Sequence, residues 1–347
     1  MQYRSLGRTG VEVSALCLGC MNFGGRTNET DSLAIIEKAL DAGINFIDTA
    51  NVYGHNPQNF SEGRGRSEQI VGKALQGKRD DVVLATKAYF HMADKPNSWG
   101  SSRRHIIQQC EASLKRLKTD YIDLYQLHHP HNSIPIDETL RALDDLIRSG
   151  KVRYIGTSSF AAWQIVESLW ASKEYHLNRF ICEQPAYNLL DRRLERELLP
   201  MAQTYGIAVI PWSPTAGGFL TGKYKRGEDV PENSRFGAFW TSATDSHMTD
   251  AAFKVLEVVE ALAEEKDCTP YQLSLAWVLH QKGITSPIIG PRTMGHLEGS
   301  LAALDVTFTD DDFARLDTVA PRGQMTVPYY GNDGMAWIPW GPHQHRW

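Results

Sequence analysis

Cysteine is scarce in this chain: five in 347 residues, an odd number without framework spacing. That excludes a disulfide-stapled secreted fold and predicts a reducing compartment, the cytoplasm. Also missing is any run of about 18 apolar residues, the least that spans a bilayer as a helix. The opening MQYRSLGR lacks the apolar segment of a secretory leader. No polybasic stretch occurs, and the formal net charge of −5 argues against nucleic acid or an acidic membrane as partner. What is present is ordinary: 42% hydrophobic and 22% charged residues, enough apolar material for a large core.

Short β-rich runs at 15–20, 45–49, 82–87, 123–128, 152–158, 180–184, 208–212 and 286–290 alternate with helical patterns, among them 32–42, 102–117, 136–149, 161–172 and 251–266. Several runs are continuously apolar, as strands covered on both faces require. Eight strand–helix units predict a (β/α)8 TIM barrel, and the length suits a barrel of about 250 residues with insertions. Thr9-Gly10, between 2–6 and 11–14, predicts a β-hairpin ahead of it. A doubly wound sheet is the alternative fold. It calls for a GxGxxG turn after the first strand, and LGCMNFGG at 18–25 lacks that spacing. A polar loop at 51–65, a long loop at 214–249 after strand seven and an aromatic C-terminal tail break the rhythm. Residues 1–320 are read as the barrel domain and 321–347, with Tyr329, Tyr330, Trp337, Trp340 and Trp347, as a tail packed on it.

Chemistry concentrates where strands end. Otherwise apolar runs close on Asp48, Lys87 and His128, with Tyr53 five residues past Asp48. A charged residue at that boundary has no easy core explanation. Polar side chains ending neighbouring strands, about 4.8 Å apart, converge on one spot at the barrel's active face.

DTANVYG at 48–54, ATK at 85–87, YQLH at 125–128 and GTSSF at 156–160 resemble the aldo-keto reductase superfamily, in order from about residue 2 to 320. The resemblance implies reversible reduction of an aldehyde or ketone by hydride from NADPH, with Asp48, Tyr53, Lys87 and His128 as the catalytic tetrad and Tyr53 as general acid/base. A free tyrosine titrates near 10, too high for an efficient proton donor at neutrality; a Lys87 ammonium lowers it, and Asp48 keeps Lys87 charged. By the same resemblance Ser158, Ser159 and Gln184 bind the nicotinamide carboxamide and Trp212 stacks on its ring. Ser213, Gly217, Gly218, Leu220 and Lys223 form the pyrophosphate loop. Gly290, Arg292, His296 and Ser300 form the adenosine 2′-phosphate site, with Arg292 as the phosphate partner. Four positions depart from the family pattern: Ser159 stands where Asn is usual, His296 and Ser300 where Gln and Asn are common, and Gly299 where Glu is common.

His128-His-Pro-His131 suggests a metal, but carboxylate or thiolate partners at suitable spacing are missing, and no metal site is expected. Cys17 and Cys20 form a C-x-x-C inside a strand, where odd spacing sends the two side chains to opposite faces. The substrate pocket is expected from 21–26, the loop after Asp48, 89–99, the long loop and the tail. Phe90, Trp99 and Trp240 suit a flat or sugar-like carbonyl compound. The competing function is a nicotinamide-binding regulatory subunit like the β subunits of voltage-gated potassium channels. Against it, the chain is read as starting directly at the hairpin, without an extension to engage a partner. Self-association is left open.

Overall fold

The computed structural model describes residues 1–55, 62–238 and 244–327. Trp240, part of the 51–65 loop and the aromatic tail from 328 onward lie outside them. Strands β1 (Tyr3–Ser5) and β2 (Glu12–Ser14) pair antiparallel as the predicted hairpin. Eight parallel strands follow: β3 (Cys17–Gly19), β4 (Phe46–Asp48), β5 (Val83–Ala88), β6 (Ile122–Leu127), β7 (Val152–Ser158), β8 (Phe180–Gln184), β9 (Ala208–Val209) and β10 (Ile288–Ile289). Their order is β10-β3-β4-β5-β6-β7-β8-β9. Hydrogen bonds from Thr285 N to Val209 O and from Ile288 N to Pro211 O, each 2.8 Å, close the ring. The fold is a (β/α)8 barrel.

Alternation along each strand creates two apolar layers. Cys17, Phe46, Ala85, Leu124, Cys182, Ala208 and Ile210 fill the barrel, and Leu6 and Val13 of the hairpin plug its floor. Leu18, Ile47, Leu84, Tyr125, Ile155 and Val209 face outward into the helical shell. Cys17 thus lies inside and Cys20 outside, as their odd spacing predicts. Each fully buried Leu or Phe contributes roughly 2 kcal/mol. The same parity carried upward along β4, β5, β6 and β8 delivers Asp48, Lys87, Gln126 and Gln184 to the barrel's upper interior.

The shell comprises α1 (Glu29–Asp41), α2 (Arg66–Ala74), α3 (Arg103–Leu117), α4 (Ile136–Arg148), α5 (Ala162–Glu174), α6 (Leu198–Tyr205), the single turns α7 (Arg235–Ala238) and α8 (Thr244–His247), α9 (Asp250–Glu265), α10 (Pro270–His280), α11 (Met294–Ala302) and α12 (Asp310–Val319). Ser102 caps α3 by accepting from His105 N. The periodicity reading passes over α2, α6 and α10. In α10 every residue from Leu273 to Leu279 is buried, so no polar face marks the period. In α2, Gly72 weakens the pattern but is required: a Cβ there would lie 2.5 Å from the Leu117 backbone. Beyond α12 the chain returns to the active face, where Thr326 N and Val327 N donate to Leu190 O. Among the described residues no helix is long and apolar enough to cross a membrane.

Candidate active site

Asp48, Lys87 and His128 come from three adjacent strand ends, and the turn after β4 returns Tyr53 over them. Lys87 is fully buried, forms an ion pair with Asp48 and donates to Thr49 O at 2.9 Å. Its Nζ stands 4.9 Å from the centre of the Tyr53 ring. Tyr53 Oη meets His128 Nε2 at 3.2 Å, the two rings edge to face. The four residues expected to act together are therefore in contact.

The charge states follow from burial and neighbours. Desolvation works against the Lys87 ammonium, but Asp48 and Tyr53 outweigh it and hold its pKa above the ordinary value. Burial, then Lys87 and His129, push His128 far below the usual histidine range, so its ring is neutral. Tyr53 departs from the expectation. Lys87 does lower its phenol, but desolvation outweighs that, Asp48 adds to the rise, and the net shift is upward. The tetrad by itself thus keeps Tyr53 protonated. Such a phenol beside a neutral imidazole can meet a carbonyl oxygen with a hydrogen bond and a transferable proton.

Ser158 and Gln184 sit beside this group, Ser158 Oγ donating to Gln184 O at 2.9 Å. Ser159 has φ +61°, and its buried Oγ has no partner among the described residues. Buried Glu183 braces this turn by accepting from Thr157 Oγ1 (2.5 Å) and Phe160 N (3.0 Å). Trp212, partly exposed, pairs its backbone with Pro185 O. Ser213 and Gly218 are left-handed at φ +54° and +89°, as is Gly217. A Cβ on Gly218 would lie 2.5 Å from Lys223 Nζ, so glycine there admits the ammonium. Leu220 is buried in the core.

Just after β10, Gly290 O accepts from Asn22 Nδ2 at 3.0 Å. Arg292 Nη1 donates to Asn233 O at 2.8 Å, and Arg26 donates to the same carbonyl. Partial desolvation, followed by Arg292, Arg26 and Arg235, lowers Lys223 to about 8. Desolvation, then Arg292 and Arg235, brings Arg26 to about 10. His296 at the start of α11 is lowered too, by burial and then by Arg292 and Lys223. Lys223, Arg26, Arg235 and Arg292 lie close enough to act on one another, and such a cluster of cations suits a polyanion. Ser300 turns inward instead, its hydroxyl 2.5 Å from Tyr271 Oη and donating to His296 O.

On the opposite side Phe90 packs edge to face on His128 at 4.8 Å, and Trp99 is stacked between His91 and His131. His131 Nδ1 accepts from Ser101 N. Among the described residues no three His, Cys, Asp or Glu side chains gather as a metal site. Sequence reasoning missed Gln126, Arg235 and Glu183, and it read Arg26 as part of the substrate pocket and not as a member of the cation cluster. Gln126 was accessible, standing two residues before His128 on the same strand face. No local signal marks Arg26 or Arg235.

The barrel, with its strand-end cluster of titratable groups beside a set of cations, is a scaffold suited to an oxidoreductase. The Aldo/keto reductase family model matches residues 15–321, and the chain belongs to that family. It is 39% identical over 328 residues to an uncharacterised oxidoreductase of Bacillus subtilis, covering 92% of this chain and 96% of the relative. A probable voltage-gated potassium channel subunit beta of Oryza sativa is 36% identical over 312 residues, 88% of this chain and 92% of the relative. The L-glyceraldehyde 3-phosphate reductase of Escherichia coli K12 is 32% identical over 333 residues, 94% of each. Family and oxidoreductase relatives support carbonyl reduction as the general chemistry.

Proposed function

We propose that this chain is an NADPH-dependent carbonyl reductase in which Tyr53 delivers the proton. The observation that carries the reading is the buried Asp48–Lys87 pair set behind the Tyr53–His128 contact, together with the gathering of Lys223, Arg26, Arg235 and Arg292. The residues fit a phosphorylated dinucleotide. Ser159 Oγ is a buried polar atom awaiting a partner, Gly218 leaves the Lys223 ammonium accessible, and the cations match phosphate charge.

The nicotinamide, when bound, supplies the hydride. Ser158, Ser159 and Gln184 would hold its carboxamide, and Trp212 would lie against its ring. His128 orients the carbonyl oxygen and Tyr53 Oη protonates it. Lys87 then stabilises the phenolate left behind, and Asp48 keeps Lys87 charged. Phe90, packed edge to face on His128, would line the side of the site where the carbonyl enters. The setting we propose is cytoplasmic, with a small carbonyl or alcohol as the partner. The test is oxidised nicotinamide formation across a panel of aldehydes and ketones. The likeness to the rice channel subunit favours a second reading, cofactor sensing with little turnover, and tight NADPH binding without turnover on any substrate would select it.

Cofactor choice gives a sharper test. A charge-assisted contact from Arg292 to a 2′-phosphate is worth about 1.5–3 kcal/mol, or roughly 10–100-fold. Arg292→Ala should raise KM for NADPH by about that factor and leave KM for NADH nearly unchanged. Equal kcat/KM with both cofactors in the unaltered protein would sink the NADPH assignment.

A pH effect follows from Lys223. Its lowered pKa means the ammonium is charged below about 8 and neutral above it. KM for NADPH should therefore rise as pH increases through that value. Lys223→Met should start with a higher KM and lose this pH dependence; a wild-type KM that stays flat between pH 7 and 9.5 contradicts the argument.

A further inference from the structure

Asp48 is held by more than Lys87. Its Oδ2 accepts from Gln126 Nε2 and from Gln184 Nε2, both at 3.0 Å, and Gln184 Nε2 also approaches Gln126 Oε1 at 3.3 Å. Asp48, Lys87, Gln126 and Gln184 are each no more than 3% exposed. A carboxylate only accepts, so both amide nitrogens must face it. That orients both amides. Gln126 turns its Nε2 to Asp48 and its Oε1 to Gln184, and Gln184, with its nitrogen committed, keeps its Oε1 available as an acceptor. A neutral amide at position 126 donates to the carboxylate and accepts from Gln184 at once, which neither an apolar side chain nor an ionised carboxylate does.

We infer that Gln126 is a positioning residue: it holds the Asp48 carboxylate against Lys87 and sets the amide edge that Gln184 offers to the nicotinamide carboxamide. Cofactor seat and proton relay then share one hydrogen-bond triangle. The inference rests on the carbonyl-reductase reading above. It differs from a packing role, because an apolar side chain of equal volume fills the barrel top but donates nothing to Asp48.

Loss of that donor leaves the Asp48 charge less compensated. Asp48 already raises the Tyr53 phenol, so the rise increases. It also frees a Gln184 N–H to turn away from Asp48. At position 126 a glutamate would keep the acceptor for Gln184. It would donate to Asp48 only when protonated, and beside a buried carboxylate it holds its proton to higher pH than usual.

The experiment compares wild type, Gln126→Met and Gln126→Glu in NADPH titrations and in kcat-against-pH profiles, with circular dichroism and melting curves as folding controls. Gln126→Met should lower kcat by about tenfold, raise KM for NADPH a few-fold and move the alkaline limb of the profile upward by about half a pH unit. Gln126→Glu should be nearly inactive at pH 8 and recover most of its turnover as the pH falls and the introduced carboxylate acquires a proton. Wild-type profiles in both variants overturn the inference. So does loss of thermal stability with kcat and profile unchanged, or failure of both to fold, since either assigns Gln126 to packing. Turnover by the wild type tests the underlying reading separately, so the two failures are distinguishable.

Discussion

Replacing Tyr53 with phenylalanine should lower kcat for carbonyl reduction by about 10²–10⁴-fold and change the NADPH dissociation constant by less than about twofold. The substitution removes one oxygen and keeps the ring that packs on His128 and lies near Lys87. The hydrogen bond it deletes, Oη to His128 Nε2, contributes about 1 kcal/mol to folding, too little to disturb the barrel. The cations Lys223, Arg26, Arg235 and Arg292 come from other segments, so binding should persist. A rate loss of that size corresponds to about 3–5 kcal/mol of transition-state stabilisation. Steady-state turnover and fluorescence titration of NADPH provide the check. Near-normal turnover with binding intact would remove Tyr53 from the mechanism.

Lys87→Met should cost both activity and stability. Lys87 and Asp48 are a buried pair, and removal of one partner from such a pair costs about 3–5 kcal/mol because the other charge is stranded. Gln126 and Gln184 still donate to Asp48, which places the expected loss at the lower end, about 3 kcal/mol. Turnover should fall by at least about 10²-fold, since no cation remains to stabilise the Tyr53 phenolate. The double variant Lys87→Met with Asp48→Asn separates the two effects, because it removes the stranded charge without restoring the ammonium. Urea titrations should show much of the stability regained, while assays show activity still absent. If the single variant were as stable as wild type, or the double variant as active, the pair would not have the role argued here.

The candidate site was legible where a charge closes an apolar run. Asp48, Lys87 and His128 stand out because nothing in a strand core explains them, and strand alternation sends them to one place. Tyr53 lies in an irregular turn with no such marker, and only the family resemblance singled it out. Gln126 shares the face of Leu124 and His128, and polarity on that face was its signal. Arg26 and Arg235 carry no local mark. They meet Lys223 because the segment after β9 crosses toward the loops following β3 and β10, so that Arg26 and Arg292 reach one carbonyl, Asn233 O.

Helices diverged for a similar reason. A face pattern exists only where one side meets water, so α3 was readable from Ser102 to Leu117, whereas α10, enclosed all round, was not. Alternation of apolar strands with amphipathic helices, a property of neighbouring residues, determined the barrel, and strand parity determined which side chains look inward. Proton affinity is not a local property. The sequence puts Lys87 and Asp48 near Tyr53, but the direction of the phenol's shift depends on how much water the fold removes. In the folded barrel desolvation exceeds the attraction of Lys87, and only the tertiary structure decided that.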